Sequence, residues 1–381
     1  MQKKLIALAL ASAFAAPAFA ATSNVDIYGV LNVSVDRASG LRSATATALQ
    51  KNSAWRLSSN ASRIGFKGTE DLGGGLAAIW QYETGLNVDA GATASGVGNL
   101  RNTFLGLKGG FGTVLAGTHD TPYKMSTGAL DPFADTAGDY NAIIGSLQGF
   151  NTSDLRLGNV LAYISPNFSG VTFAAATSFM KETGLSNTNG SPTAYTGMVN
   201  YENGPLFLSA AYEQAKHLGA AALGGLDADL KSWKLGAGYK FGDFTVNAIY
   251  DNIKATVNTA TALTTIAAGT YAKRAAYGLN GVYNMGAVAL KAGYYHANKT
   301  KSNAGTAANS GANMWELGAD YNLSKRTKAY LVYTKMNNDN NATYCAGGAN
   351  SLGFGGSGTN PVCGANGKDP SIISLGMRHS F

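Results

Sequence analysis

Residues that commonly carry out catalysis or bind metals are few in this 381-residue chain, and they are widely spaced. The four histidines lie far apart, at positions 119, 217, 296 and 379, and no serine or cysteine stands in a nucleophile motif. The Asp227-Ala228-Asp229 segment could contact calcium, but two acids in a polar segment are more often simply solvated. We therefore expect no enzymatic activity, no cofactor and no metal site.

The composition separates this chain from soluble domains and from helical membrane bundles. Charged residues make up 13% of it, against the ~25% that is usual for soluble domains. Beyond the N-terminus, no apolar stretch reaches the ~20 residues that a helix needs to cross a bilayer. Strands that are apolar on one face only satisfy both observations, which is typical of transmembrane β-barrels. The net charge of +7 is spread along the chain, so nucleic-acid binding is not expected.

The N-terminal segment is typical of a secretory signal peptide. Lys3 and Lys4 precede an apolar run, and Ala18-Phe19-Ala20 forms a small-x-small cleavage pattern. We expect cleavage after Ala20, which leaves residues 21–381 as a single domain. The alternative, a membrane anchor, is disfavoured because the apolar run is short.

Export also bears on the two cysteines, Cys345 and Cys363, which lie in one glycine-rich segment before the C-terminal strand. Paired cysteines in one loop of an exported chain predict a disulfide. In the chain-entropy model, a bridge that closes a loop of this size contributes roughly 3 kcal/mol.

The rest of the chain alternates apolar and polar residues with the period of two that β-strands show. A soluble β-sandwich would alternate too, but its outer face is usually well charged. Here the polar face is rich in Gly, Asn, Ser and Thr, which suits a water-filled lumen, and aromatic residues stand at the strand ends, as at membrane interfaces. We expect the lumen-facing glycines Gly236, Gly238 and Gly318 to keep the pore open.

Connections alternate between short and long. Seven short turns rich in glycine and asparagine, such as Gly242-Asp243, alternate with long polar segments such as 119–157 and 338–369. Seven turns join fourteen strands, and a first strand (Val25–Asp36) and a last strand (Ile372–Phe381) bring the number to sixteen. The predicted fold class is therefore all-β, an antiparallel up-and-down transmembrane barrel of sixteen strands around an aqueous channel.

The segment from Ser62 to Leu76, SRIGFKGTEDLGGGL, resembles the SRxGFKGxEDLGxGL block of Gram-negative general porins, in particular their β-proteobacterial and neisserial branch. The terminal Phe381 on an alternating strand looks like the assembly signal of outer-membrane proteins. The resemblance covers the chain beyond the signal peptide. Further matches, in order, are Tyr28-Gly29, Gly106-Leu107-Lys108, Asp131-Pro132-Phe133, Ser165-Pro166-Asn167-Phe168-Ser169-Gly170 and Gly376-Met377-Arg378-His379-Ser380-Phe381.

The resemblance implies a homotrimer of barrels in the Gram-negative outer membrane, each with its own pore. The implied partners are outer-membrane lipid and lipopolysaccharide, the barrel assembly machinery, and small hydrophilic solutes and ions. It also implies that the third loop, 119–157, folds inward and narrows the pore. The predicted acidic residues of this constriction are Asp120, Asp131, Asp135 and Asp139.

Opposite the acidic loop we expect basic residues on the barrel wall. Arg63 and Lys67 alternate with Ile64 and Phe66, so their side chains should point into the lumen. A wall of bases facing an acidic loop creates a transverse field that permeating ions feel. The alternative for each base is a rim position that binds lipopolysaccharide phosphate or is merely solvated. The predicted basic wall residues are Arg56, Arg63, Lys67, Arg101 and Arg156.

Two departures from the porin pattern weaken the expected anion selectivity. Gly117-Thr118 stands where the family commonly has Gly-Arg, and Ala162-Tyr163 stands where it commonly has Arg-Tyr. We therefore expect a general diffusion porin with weak anion preference.

Two other functions stay open on the sequence. One is a solute-specific channel, and the other is a surface adhesin or receptor that uses the 338–369 loop. The aromatic residues of the third loop that favour the first are Tyr123, Phe133 and Tyr140.

Overall fold

A computed structural model of the chain describes residues 24–40, 53–89, 96–179, 193–218, 227–259, 271–347 and 367–381. The predicted signal peptide and its cleavage site lie outside these ranges. In the described residues, the strands form a closed antiparallel barrel of 16 strands, which confirms the predicted fold class. No helix in the described parts of the chain is long and apolar enough to cross a membrane.

The barrel strands follow one another in chain order, and each pairs with its sequence neighbours. Two of them, β2 and β4, are interrupted by a short break. The strands are β1 (Asn24–Ser39), β2 (Ser53–Ser59 and Arg63–Gly73), β3 (Leu76–Leu86), β4 (Val97–Leu100 and Thr103–Gly109), β5 (Gly112–Asp120), β6 (Arg156–Ile164), β7 (Val171–Phe179), β8 (Thr193–Asn203), β9 (Leu206–Leu218), β10 (Asp227–Phe241), β11 (Phe244–Thr259), β12 (Tyr271–Met285), β13 (Val288–Ala297), β14 (Ala312–Asn322), β15 (Thr327–Asn338) and β16 (Ser371–Ser380).

The barrel closes where β1 pairs with β16, from Val30 opposite Ser380 to Ser39 opposite Ser371. Beyond this ladder, the amide of Phe381 donates to the Gly29 carbonyl at 3.1 Å, and the Gly29 amide donates back at 3.0 Å. A Cβ added at Gly29 would lie 2.3 Å from the Phe381 ring, so the seam requires glycine at this position. The terminal aromatic residue is therefore part of the closure.

The two faces of the barrel are inverted relative to a soluble protein. On β16, Ile373 and Leu375 are 49% and 63% exposed, whereas Ile372 and Ser374, which alternate with them, are fully buried. At the turn end of β10–β12, Tyr239, Phe241, Phe244 and Tyr283 stack with ring centroids 4.2–6.4 Å apart. An apolar outer band bounded by aromatic residues is the surface that a bilayer requires.

The short connections form tight turns at the places the sequence indicated. Gly242 and Gly286 adopt φ of +59° and +60° in the β10–β11 and β12–β13 turns. A Cβ at either position would meet nothing within 4 Å, so glycine is required there for its backbone conformation, not for lack of space.

The third loop leaves the barrel wall after β5, folds through the lumen and returns at β6. It contains a short helix, α1 (Pro122–Met125), two 3-10 turns (Gly128–Leu130 and Tyr140–Ala142) and a small hairpin (Ser146–Leu147 with Phe150–Asn151). Its apolar side chains Phe133, Ile143 and Ile144 are fully buried. The loop is therefore packed into the barrel as part of its core.

The lumen-facing glycines have a different role from the one the sequence suggested. A Cβ at Gly236 would lie 2.6 Å from the Leu130 side chain, and one at Gly318 would lie 2.7 Å from the Phe133 ring. A Cβ at Gly238 would likewise lie 2.9 Å from the Leu130 side chain. These glycines do not widen the pore, because they provide the space into which the third loop packs.

Candidate pore constriction

The break in β2 positions the first basic wall residue. Residues 60–62 interrupt the strand, and Ala61 adopts φ +51°, so the chain resumes at Arg63 with its side chain directed into the lumen. Arg63 Nη1 donates to the Ala61 carbonyl at 2.9 Å and to Asp135 Oδ2 at 2.9 Å. The first of these bonds fixes the guanidinium, and the second joins it to the tip of the third loop.

Asp135 is bound from three strands. Arg378 of β16 donates to the same Oδ2 at 3.0 Å, and Asn32 of β1 donates to the Asp135 carbonyl at 2.6 Å. Burial opposes the charge of this carboxyl, but Arg63 and Arg378 outweigh burial and hold the pKa of Asp135 below its ordinary value. The carboxylate is therefore charged at neutral pH and bridges two arginines.

Arg101 stands at the break in β4, where its amide donates to the Glu83 carbonyl at 2.8 Å. Its guanidinium makes a close ion pair with the Glu83 carboxylate, whose other oxygen accepts from the Tyr28 hydroxyl at 2.9 Å. Glu83, on β3, is an acid within the basic wall that sequence reasoning missed. Glu83 pairs with Gly65, two residues from Arg63, and this strand pairing was the signal that could have placed Glu83 in the wall.

Asp120 and Arg156 form the neck of the third loop. They are Cα partners at the ends of β5 and β6, and their side chains approach to 3.0 Å. Arg156 Nε also donates to Asn102 Oδ1 at 2.7 Å, which ties the neck to the break in β4. The structure thus brings Asp120, Arg156 and Arg101 to one side of the lumen.

Asp131 and Asp139 differ from the expectation that they line the pore. The Asp131 carboxylate accepts from the amides of Phe133 at 2.9 Å and Tyr140 at 3.1 Å, and Asp139 accepts from the Asn141 amide at 2.8 Å. Burial raises the pKa of Asp139 to about 6 and raises the pKa of Asp131 well above its ordinary value. Both carboxyls are used to shape the loop, because the loop's own buried amides need acceptors.

Arg56 and Lys67 lie on β2 on either side of the constriction. Arg56 Nε pairs with Asp36 at 3.1 Å, in the half of the barrel that carries the long loops. Lys67 lies 5.4 Å from the centroid of the Tyr28 ring, in the half that carries the turns. In the described residues, no hydrogen bond or ion pair of either residue reaches the third loop, so both lie apart from the bridge between Arg63 and Asp135.

Two buried ion pairs that the sequence reasoning missed fix the third loop to the opposite wall. Lys234 of β10 pairs closely with Asp154, and both side chains are fully buried. Arg274 of β12 pairs with Asp251 at 2.6 Å and donates to the Ile143 carbonyl at 2.8 Å. The signal for both was a charged residue in the middle of a lumen-facing strand face that is otherwise apolar, small or uncharged over the neighbouring positions.

The remaining sequence candidates do not form a site. Asp229 accepts from the His217 amide at 3.1 Å and from Asn258 at 2.8 Å. Cys345 is buried, and its predicted partner Cys363 lies outside the described residues, so the disulfide stays a prediction. Residues 348–366 of the 338–369 loop also lie outside the described residues. The third-loop aromatics are buried against the wall and form no exposed track: Tyr123, Phe133 and Tyr140.

The ion pairs of the constriction contain one more positive charge than negative charges. The basic wall contributes four arginines, and they face three carboxylates, which leaves one positive charge in excess. The arginines are Arg63, Arg101, Arg156 and Arg378, and the carboxylates are Glu83, Asp120 and Asp135.

Comparison with known proteins agrees with this architecture. Outer membrane porin protein 32 of Delftia acidovorans is 29% identical over the full length of both chains. Major outer membrane protein P.IB of Neisseria sicca is 31% identical over 356 residues, which cover 87% of this chain and 92% of that protein. The solved anion-selective porin from Comamonas acidovorans superposes with a TM-score of 0.74 at 26% identity, over 94% of this chain and 100% of that one.

The family comparison covers most of the sequence. Residues 7–341 match the Gram-negative porin family, and this range includes β1 to β15 and the third loop. With a closed barrel, an apolar outer surface and an inward third loop, this match assigns the protein to the outer membrane. The chain belongs to the Gram-negative porin family.

Proposed function

We propose that this porin is a general diffusion channel with weak anion preference for small hydrophilic solutes. The observation that carries the proposal is the bridge from Arg63 and Arg378 to Asp135, which holds the third loop in the lumen. The loop limits the size of the solute, and the single excess positive charge at the constriction favours anions slightly.

The weakness of the preference follows from how the arginines are paired. Each arginine of the constriction has a carboxylate oxygen within 3.0 Å. The carboxylate cancels most of the attraction that the arginine would exert on a distant anion. What remains is a local transverse field, which the low-dielectric barrel wall focuses into the narrow part of the lumen. Such a field orders water and separates the paths of cations and anions.

The solved porin from Comamonas acidovorans is described as anion-selective, which supports the same direction of selectivity here. In line with the porin relatives, we also propose that the protein works as a homotrimer inserted by the barrel assembly machinery, with its outer face in contact with lipid and lipopolysaccharide. In the described residues, the arginines of the constriction are ion-paired and the aromatic residues of the third loop are buried, which favours a general diffusion channel over a solute-specific one.

Reversal potentials in a KCl gradient across planar bilayers test the selectivity. We expect ohmic single-channel steps and a small reversal potential of the sign for chloride. A clear cation preference would contradict the assigned basic wall, and an absence of conductance steps would contradict a diffusion channel.

Loop deletion tests the constriction independently. Removing Ala129–Ile144 should enlarge the single-channel conductance, because this segment occupies the lumen. An unchanged conductance in a folded variant would show that the third loop does not limit the pore.

A further inference from the structure

A second group of bases lies at the turn end of the barrel, below the third loop, and it shares only Arg378 with the constriction. A cavity of about 400 Å³ separates the loop segment 131–134 from the β14–β15 turn, 323–326. We call this cavity the turn-side pocket. Four of its lining side chains are basic: Lys325, Arg326, Lys328 and Arg378.

The barrel register places two of these bases side by side. Lys328 and Arg378 are Cα partners on β15 and β16, and both alternate with outward apolar residues, so their side chains enter the lumen together. The other two, Lys325 and Arg326, are exposed residues of the turn. The turn itself is held in place, because Ser324 Oγ accepts from the Arg326 and Thr327 amides and the Arg326 carbonyl accepts from the Ser380 amide at 2.8 Å.

The acids around the turn-side pocket do not neutralise these bases. Asp320 is shared between Lys328 at 2.6 Å and Lys291 at 2.8 Å, and Asp135 is shared between Arg378 and Arg63. Among the described residues, neither Lys325 nor Arg326 has an ion-pair partner. Each carboxylate therefore serves two bases, and two further bases have none.

One acid, Asp131, lines the pocket and needs a separate account. Both of its carboxylate oxygens accept hydrogen bonds from amides of the third loop, those of Phe133 and Tyr140. Its burial, together with the neighbouring Asp139, raises the pKa of the carboxyl well above its ordinary value. Asp131 therefore directs both carboxylate oxygens toward amides of its own loop, which stabilises the loop and leaves these oxygens engaged.

We propose that the turn-side pocket is an anion-binding site that takes a small, multiply charged oxyanion such as inorganic phosphate. Arginine and lysine together provide the forked and the point-charge donors that phosphate oxygens accept. A volume of about 400 Å³ lies near the lower end of the ~300–1,000 Å³ of small-molecule sites, which suits a compact anion better than a peptide. The site goes beyond the proposed diffusion function, because it holds a resident ligand at the turn-side mouth, where three of the four bases lie outside the constriction.

Occupancy of the site changes permeation at the turn-side mouth. A bound oxyanion neutralises bases at the turn-side mouth, so anions entering from that side meet a less attractive potential. Anions that enter from the side of the long loops leave through the same mouth, so the chloride current falls in both directions.

Phosphate binding to the folded protein in detergent micelles, measured by isothermal titration calorimetry, tests the proposal. The double variant K325Q/R326Q removes the two bases without ion pairs, and both positions are exposed, so the barrel should be preserved. We expect binding to weaken by at least about tenfold, since hydrogen bonds to charged groups are the stronger ones. K240Q is the matched control, because Lys240 is an exposed residue near the end of β10, outside the pocket.

A phosphate affinity equal in the wild type and in K325Q/R326Q would overturn the proposal, as would an absence of saturable binding to the wild type. Where the double variant does not fold, R326Q alone provides the same comparison. A short acidic peptide is the second probe, and tight peptide binding without phosphate binding would overturn the assigned ligand class.

Conductance measurements separate this proposal from the proposed function. Phosphate added on the turn side should lower the chloride conductance of the wild type but not that of K325Q/R326Q. An equal loss of conductance in the wild type and in K325Q/R326Q would overturn the site. A wild type without ohmic conductance would count against the diffusion channel, whereas the calorimetric comparison would still decide the anion site.

Discussion

Arg63 of β2 donates at 2.9 Å to Asp135, a residue 72 positions later at the tip of the third loop. The bond fixes how far the loop crosses the lumen, and Arg378 strengthens it from the other side of β1. Geometry and charge at the constriction therefore depend on the same carboxylate.

Replacing Asp135 with asparagine should raise the anion preference. The variant leaves Arg63 and Arg378 without their shared countercharge, so the excess at the constriction grows from one positive charge to two. One unit charge at about 4 Å in water corresponds to about 1 kcal/mol, so we expect the chloride-to-potassium permeability ratio to rise about 2- to 5-fold. Reversal potentials measure this ratio. D243N, at an exposed acid in the β10–β11 turn, is the control, and an unchanged ratio in D135N would contradict the charge assignment.

Glycine at position 236 should be required for loop docking. In G236V the new side chain would meet Leu130, which lies 2.6 Å from an added Cβ, and overpacking of this kind costs about 1–3 kcal/mol. We expect a lower free energy of unfolding in urea titrations and a noisier single-channel current. G197V is the matched control, because a Cβ on this outward-facing strand glycine would come no closer than 3.6 Å to another atom. Similar losses in both variants would show that β propensity, not the loop, is responsible.

The buried pair of Lys234 and Asp154 should be sensitive to the loss of one partner. K234M leaves the Asp154 carboxylate buried without a countercharge, which costs about 3–5 kcal/mol in folding free energy. The double variant K234M/D154N should lose less than K234M alone, because the asparagine side chain that replaces Asp154 is uncharged. K240M, on the same strand but exposed, is expected to stay within about 0.5 kcal/mol of the wild type. Equal losses in the single and double variants would contradict a paired charge.

Stability should rise as the pH falls from 7 to 5, through Asp139. The pKa of this carboxyl is about 6 in the folded chain, against ~3.9 in the unfolded chain, so the folded state binds the proton more tightly. The penalty for burying the charge is absent below the unfolded pKa and complete above pH 6. D139N keeps an oxygen acceptor for the Asn141 amide and should reduce the difference between pH 5 and pH 7 in urea titrations. A pH dependence that is the same in D139N and the wild type would contradict this assignment.

The fold could be predicted because its signals are local. Alternation along β16 identifies the lipid-facing residues Ile373 and Leu375, and turn glycines such as Gly242 mark where strands end. These signals depend on backbone conformation and on the period of two, which a single sequence displays. The sixteen strands follow from them directly.

The constriction was harder to predict because its contacts are not local. Alternation does not predict the direction of the Arg101 side chain, because β4 breaks at this residue, restarts at Thr103 and then has Leu105 facing outward. Asp154 and Lys234 are separated by 80 residues, and no periodicity relates them. Asp131 and Asp139 look like pore charges in the sequence, because their acceptor role depends on how the loop folds on itself.

The third loop is held by residues of strands that come much later in the chain. It follows β5 in the chain, yet it is held by Arg274 of β12 and by Arg378 of β16, 243 residues beyond Asp135. Such long-range contacts can form only after the later strands are in place. The bond from Arg378 to Asp135 therefore forms only once β16 is in place, and a chain truncated before β16 would lack this contact as well as the seam.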